Sequence, residues 1–219
     1  LTPKWRNSLK LLFENWRKYL LTEKLMLKPG PDGWDLYGKL VAEAYERAPL
    51  FDDEAAYSFK ALEPFIDTMF GQISRSRVNI EFVDENPYPS EKEMCLDAMQ
   101  NGVLKIWKGG TEHPIFDPVL NAKLRAVHDY MAHCQGKTGF GQQGEIAAFN
   151  KHMKTVPEAG REALFTEVVG QASYFLNYGQ FPEQKIAILK GFDKHEAGEV
   201  DPEITGYRLD REEKRLVKV

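Results

Sequence analysis

The chain has 219 residues, 42% of them apolar and 12% aromatic, with a formal net charge of −4. Such a length suits one large domain, and the composition is that of a protein that buries its own core rather than of a disordered segment. The acidic balance excludes a dedicated DNA-binding protein and leaves no strong nucleic-acid signal. No apolar run reaches the ~18 residues of a membrane span, and nothing reads as a signal peptide. Cys95 and Cys134 stand far apart and in no CxxC spacing, so they read as thiols of a reducing compartment without a disulfide framework. The expected location is cytoplasmic. Without an initiator Met, the chain reads as starting after a trimmed end.

In chain order, Trp5, Leu9, Leu12, Trp16 and Tyr19 or Leu20 recur at helical spacing and predict an amphipathic first helix. Its polar back is basic, with seven Lys/Arg against two Glu in residues 1–28, and reads as a solvated face. "KPGPDG" (28–33) breaks the chain. Residues 34–47 and 52–76 predict two helices, the second favoured at its start by Asp52, Asp53 and Glu54 and kinked or split by Pro64. "VNIEFV" (78–83) and "GVLKIW" (102–107) predict two short strands, joined by a helix over about 90–100.

Beyond "GGTEHP" the pattern turns helical again. Leu120, Leu124, Val127 and Met131 keep the 4-3-4 spacing of a buried face, and Gly136 stands where a helix would be capped. Helices are also predicted over 143–155, 161–178 and 182–190. The last 27 residues carry fourteen charges with little periodicity, and read as a charged tail (193–219) or an arm for a partner. The fold class expected is mainly α: a single helical domain (1–192) with a small two-stranded β element, and a site within 113–190.

"HDYMAHCQGKTGFGQQGE" (128–145) holds fragments of three chemistries. A phosphate loop needs a glycine five residues before its GKT, but Met131 stands there and a helix precedes it. The GxGxxG from Gly139 to Gly144 follows a helix where a dinucleotide site requires a strand. Those glycines read as a turn between helices. The histidines remain: His128, His133 and His152, three of the five in the chain, fall within 25 residues together with Asp129 and Glu145. In an ideal α-helix, residues five apart lie about 140° apart around the axis with Cα atoms about 8–9 Å apart, which suits two imidazoles converging on one metal from the last turn, though less naturally than a spacing of four. Asp129 and His133, four apart, are placed to touch, and Glu145, Phe149 and His152 share a face of the next helix. In "REALFTEVVGQASYFLNYG" (161–179), Phe165, Val169, Ala172 and Leu176 form an apolar stripe. Glu167, Gln171, Tyr174 and Tyr178 form a polar stripe opposite, the composition of a pocket lining or a wet surface.

These residues resemble the iron site of the aromatic amino acid hydroxylases, whose pattern is His-Asp/Glu-x-x-Gly-His followed by a glutamate-bearing helix. "HDYMAH" (128–133) keeps the His spacing and "LFTEVVG" (164–170) is similar to the glutamate helix. The likeness spans 113–190, with "HPIFDP" and "QKIAIL" at its ends. Ala132 replaces the usual Gly, and the glutamate comes one position early in its motif and closer to the histidines. The resemblance implies a 2-His-1-carboxylate triad of His128, His133 and Glu167 that binds Fe(II), with Mn or Zn as other acceptable ions. Asp129, Glu145 and Gln171 would orient ligands or a metal-bound water, and Tyr174 and Tyr178 would line the pocket of a small-molecule substrate. The function expected is that of a mononuclear non-haem iron oxygenase or hydroxylase.

Two alternatives stand beside it. "HDYMAH" and "FGQQGE" (140–145) are also similar to HD-domain phosphohydrolases, in which His128 and Asp129 would bind a divalent metal that activates water. Gln142 stands where that family has a histidine, and the one upstream histidine is His113. The overall wording resembles phage and mobile-element proteins, which allows a non-catalytic component with a structural His/Glu cluster.

Overall fold

The computed structural model describes residues 27–109, 112–195 and 197–219, so the amphipathic segment at the start of the chain lies outside the described residues. The architecture is mainly α with two small two-stranded sheets.

Helix α1 (Trp34–Arg47) buries Trp34, Tyr37, Gly38, Val41, Ala42 and Tyr45, one face at helical spacing. Its C-terminal carbonyls are satisfied from far along the chain: buried Lys185 donates from Nζ to the carbonyls of Tyr45, Glu46 and Ala48 at 2.9, 2.8 and 2.7 Å. An ammonium group has three donors, and all three are used here at the negative end of a helix dipole.

Helix α2 (Asp53–Ser74) is capped by the Asp52 carboxylate, which accepts from the backbone N–H of Glu54. Pro64 does not split it: one helix runs over 22 residues. Pro64 and Lys60 both face solvent, so the Lys60 carbonyl that lacks a helical donor is hydrated rather than stranded in the core.

Strand β1 (Asn79–Val83) pairs in parallel with β2 (Val103–Trp107), Asn79 opposite Val103 and Val83 opposite Trp107. A parallel pair needs a crossover. Helix α3 (Glu91–Leu96), capped by Ser90, provides it and runs on as a π-helical turn (Asp97–Asn101) that ends at left-handed Gly102. Met94, Ala98, Leu104 and Ile106 close a second core with Ile73, Ala126, Val127, Tyr130 and Cys134.

Helix α4 (Pro118–Val127), started by an Asp117 cap and a Pro at its first position, continues as a π-helix over His128–Gln135. Gly136 follows it in right-handed conformation, and the left-handed turn falls one residue later, at Lys137 with φ 57°. Helix α5 (Gln142–His152) leads to a 3-10 turn (Glu158–Gly160). Then comes one continuous helical run: α6 (Arg161–Leu164), a π-helix (Phe165–Gly170) and α7 (Gln171–Tyr178), closed by left-handed Gly179.

Two expectations fail beyond this point. Residues 182–190 are not a helix. Gln184, Lys185, Ile186 and Ala187 are buried in succession, a run in which no polar helical face could form, and Ile186 bridges to Phe51 in β fashion. The charged tail is also folded. Helix α8 (Pro202–Thr205) and the hairpin β3 (Tyr207–Asp210) with β4 (Arg215–Lys218) close on the 28–33 loop, where Leu216 donates to the Asp32 carbonyl at 2.7 Å. Leu216, Ala197 and Val200 join the main core with Trp34, Phe59, Phe149 and Phe165. Most charges of this segment are exposed or half-buried, but Lys194 is buried and donates from Nζ to the carbonyls of Leu189 and Phe192 at 2.6 and 2.7 Å.

Replacement of Lys185 by Met keeps the length of the stem but removes a donor from three carbonyls, one bond buried and two partly buried. At about 1–3 kcal/mol for a buried polar group left unsatisfied, denaturant unfolding is expected to show a loss of about 1–3 kcal/mol. A loss below about 1 kcal/mol would mean that the end of α1 draws its partners from elsewhere.

Candidate metal centre

In the segment His128–Gln135 the backbone hydrogen bonds reach five residues instead of four. That change brings residues five apart to the same side, so His128 and His133 converge where an α-helix would splay them. Their Nε2 atoms lie 2.8 Å apart. Glu145, buried in the first turn of α5, completes the group: Oε2 is 3.2 Å from His128 Nε2, and Oε1 is 3.6 Å from His133 Nε2. The three ligand atoms all lie within 4.8 Å of one another. Two imidazoles and one carboxylate so disposed could hold a divalent metal ion, and the arrangement is compatible with a 2-His-1-carboxylate centre.

The orientation of His133 follows from Thr138. Its Nδ1–H donates to the Thr138 carbonyl at 2.9 Å, which leaves Nε2 as the atom that faces the centre. The Thr138 hydroxyl donates to the Ala132 carbonyl at 3.0 Å and fixes the loop against the helix it leaves. Thr138 belongs to the GKT that fails as a phosphate loop. Its contribution is the one residue in that triplet that touches the centre, and a short helix-to-turn spacing after a histidine was the only signal in the sequence.

Burial works against charge here, yet the groups compensate one another. Burial pushes the Glu145 carboxyl up, but hydrogen bonds from His128 and His133 and their charges outweigh it, and hold it at about 2. Burial pulls His133 down, and the hydrogen bond and charge of Glu145 more than reverse it, so it stands above the usual imidazole range. His152, deep in the same region, is pushed down to about 3 by burial and by the nearby His128 and His133. Half-buried Asp129 is shifted upward by desolvation, opposed by His128 and His133.

Glu167, the carboxylate implied by the resemblance, is not in this group. It forms a second polar cluster with His113, whose Nε2 is 3.5 Å from Glu167 Oε1, both side chains being almost fully buried. Gln171 donates from Nε2 to Glu167 Oε2 at 2.7 Å and to Gln184 Oε1 at 2.9 Å. His113 Nδ1 accepts the backbone N–H groups of Ile115 and Phe116 at 3.1 and 2.8 Å, so its proton is on Nε2, facing the carboxylate. Gln171 therefore orients Glu167, not the ligand triad. Tyr174 is half-buried against Tyr45, their ring centroids 5.7 Å apart, and Tyr178 is largely exposed. Neither ring has a contact with the triad among the described residues.

Cys95 and Cys134 are not separate thiols. They form a disulfide with 4.9 Å between Cα atoms, joining α3 to the residue after His133. Nothing in the spacing of 39 residues announces the pairing. It follows from the packing of α3 on the π-helix. No known protein family, curated protein or solved structure matches the chain.

The disulfide anchors the π-helix beside a ligand. Replacing Cys95 by Ser is expected to lower stability by about 3–4 kcal/mol for a loop of that length, and to weaken binding of Co(II) or Zn(II) about tenfold or more. Equal metal affinity in the variant and the parent, measured by competition with a chelator, would show that Thr138 and the second core hold His133 without it.

Proposed function

We propose that the protein is a mononuclear metal enzyme of the non-haem iron oxygenase type acting on a small molecule. His128, His133 and Glu145 are its metal ligands. The observation that carries this reading is the convergence of exactly two imidazoles and one carboxylate, with all ligand atoms within 4.8 Å. That donor set occupies three positions around an ion and leaves others open, as non-haem Fe(II) oxygenases require. When bound, the ion supplies Lewis acidity and, as Fe(II), the capacity to activate dioxygen.

The chain's own residues supply the rest. Thr138 holds His133 in the ligating tautomer, and Glu145 stays ionised because two imidazoles face it. His133 has no exposed side-chain surface, while 17% of the His128 side chain is open, so a substrate reaches the centre from the His128 side. The HD-phosphohydrolase reading would make Asp129 a ligand. Asp129 is outside the three converging residues, so the geometry lends that reading no support.

Metal analysis of protein purified with Fe(II), Mn(II) or Zn(II) tests the proposal directly. One equivalent of ion is expected in the parent, with a loss of tenfold or more in affinity for His128→Ala and for Glu145→Ala. Glu167→Ala is expected to retain the metal. At a free metal concentration 100 times the dissociation constant, folding gains about 2.7 kcal/mol, so the melting temperature rises and a chelator reverses the rise. A parent that binds none of the three ions contradicts the reading. Preference for Zn(II), with no oxygen uptake in the Fe(II)-loaded protein over a panel of small substrates, would favour hydrolytic chemistry on the same ligands.

A further inference from the structure

On the reading of His128, His133 and Glu145 as metal ligands, we propose that His152 faces the coordination position left open by the protein. There it hydrogen-bonds the oxygen ligand that fills the position, either water or a hydroxyl group of the substrate.

His152 stands seven residues after Glu145 on α5, close to two helical turns, and so shares its face. Its ring lies 5.6 Å from that of His128 at a tilt of 31°, and Phe65 meets it edge-on at 6.3 Å. The residue is 4% exposed, and its Nε2 is buried with no hydrogen-bond partner. Buried side-chain nitrogens are nearly always paired, with protein or with a bound molecule.

His152 is not among the ligand atoms that lie within 4.8 Å of one another. Its nitrogen therefore stands back from the point where the three ligands meet, and one small polar molecule between them pairs with both sides. A hydroxyl group suits this place because it can donate and accept, and so satisfies an imidazole nitrogen in either tautomer. Phe65 offers His152 no polar partner, whereas the ring of His128, a ligand of the proposed ion, lies 5.6 Å away. His152 is thus a positioning residue for whatever oxygen group the substrate brings to the metal.

The test reads the Co(II)-loaded protein, whose visible d–d spectrum reports the number and kind of ligands. His152→Phe or His152→Leu, whichever folds, is expected to keep Co(II) affinity within about threefold while the spectrum changes. His152→Gln, which can again donate and accept, is expected to return the spectrum toward that of the parent. An unchanged spectrum in a fully loaded apolar variant overturns the proposal. A fall in Co(II) affinity of more than about a hundredfold in all variants overturns it too, because His152 would then be a direct ligand. A parent that binds no Co(II) removes the metal reading itself, and is distinguished from the other two results by the absence of any d–d band.

Discussion

The candidate centre depends on one irregularity of the backbone, the π-helical turn that starts at His128. On a regular α-helix two histidines five residues apart stand about 140° apart around the axis, a poorer arrangement for meeting than a spacing of four. Hydrogen bonds of the i→i+5 kind remove that angle at the expense of regular helix geometry, and segments that bear them are uncommon and short. Such a turn has to be held by its surroundings. Tyr130 and Cys134 are buried in the second core, Cys134 is tied to Cys95, and Thr138 grips His133 at the exit. The β1-α3-β2 unit, remote from the ligands in sequence, therefore forms the backing on which His133 is positioned.

Two buried carboxylates compete for the role of ligand, and proton positions separate them. Glu167 faces donors: the Gln171 amide and the Nε2–H of His113, whose other nitrogen is occupied by two backbone N–H groups. With its proton fixed there, His113 has no lone pair to offer an ion. Around Glu145 the arrangement differs. His133 donates its Nδ1–H to a carbonyl and so turns Nε2, the atom a metal would use, inward. The first cluster pairs one imidazole with a carboxylate, whereas in the second two imidazole nitrogens and a carboxylate converge, the donor set that a cation binds on displacing the imidazole protons.

Much of the fold is legible in the sequence because it rests on periodicity. The strands at 78–83 and 102–107, the helices between residues 34 and 178 and the acidic start of the second one at Asp52 follow from local pattern. The histidine pair is legible as well, from residue type and proximity. What the sequence does not disclose is set by tertiary packing. The i→i+5 turn is specified by no local signal, so the choice between Glu145 and Glu167 could not be made from spacing. "QKIAIL" has helical propensity, yet it is buried on every side and threads through the core as extended chain. The C-terminal segment is too charged to announce a core contribution, but Leu216 with Tyr207 and Leu209 docks its hairpin on the main core.

The rim of the centre constrains what can approach it. Phe140 lies edge-on to His133 with ring centroids 4.8 Å apart, and 37% of its surface is open, so it forms an apolar lip beside the ligands. The loop that carries it is held at both ends. Thr138 is bonded back to Ala132 and His133, and Gly144 packs so closely on Gly139 that a Cβ there would fall 1.8 Å from the Gly139 carbonyl oxygen. A glycine at 144 is thus required by contact and not by backbone angle. The pinned loop thereby keeps the Phe140 ring against His133, one of the three converging residues.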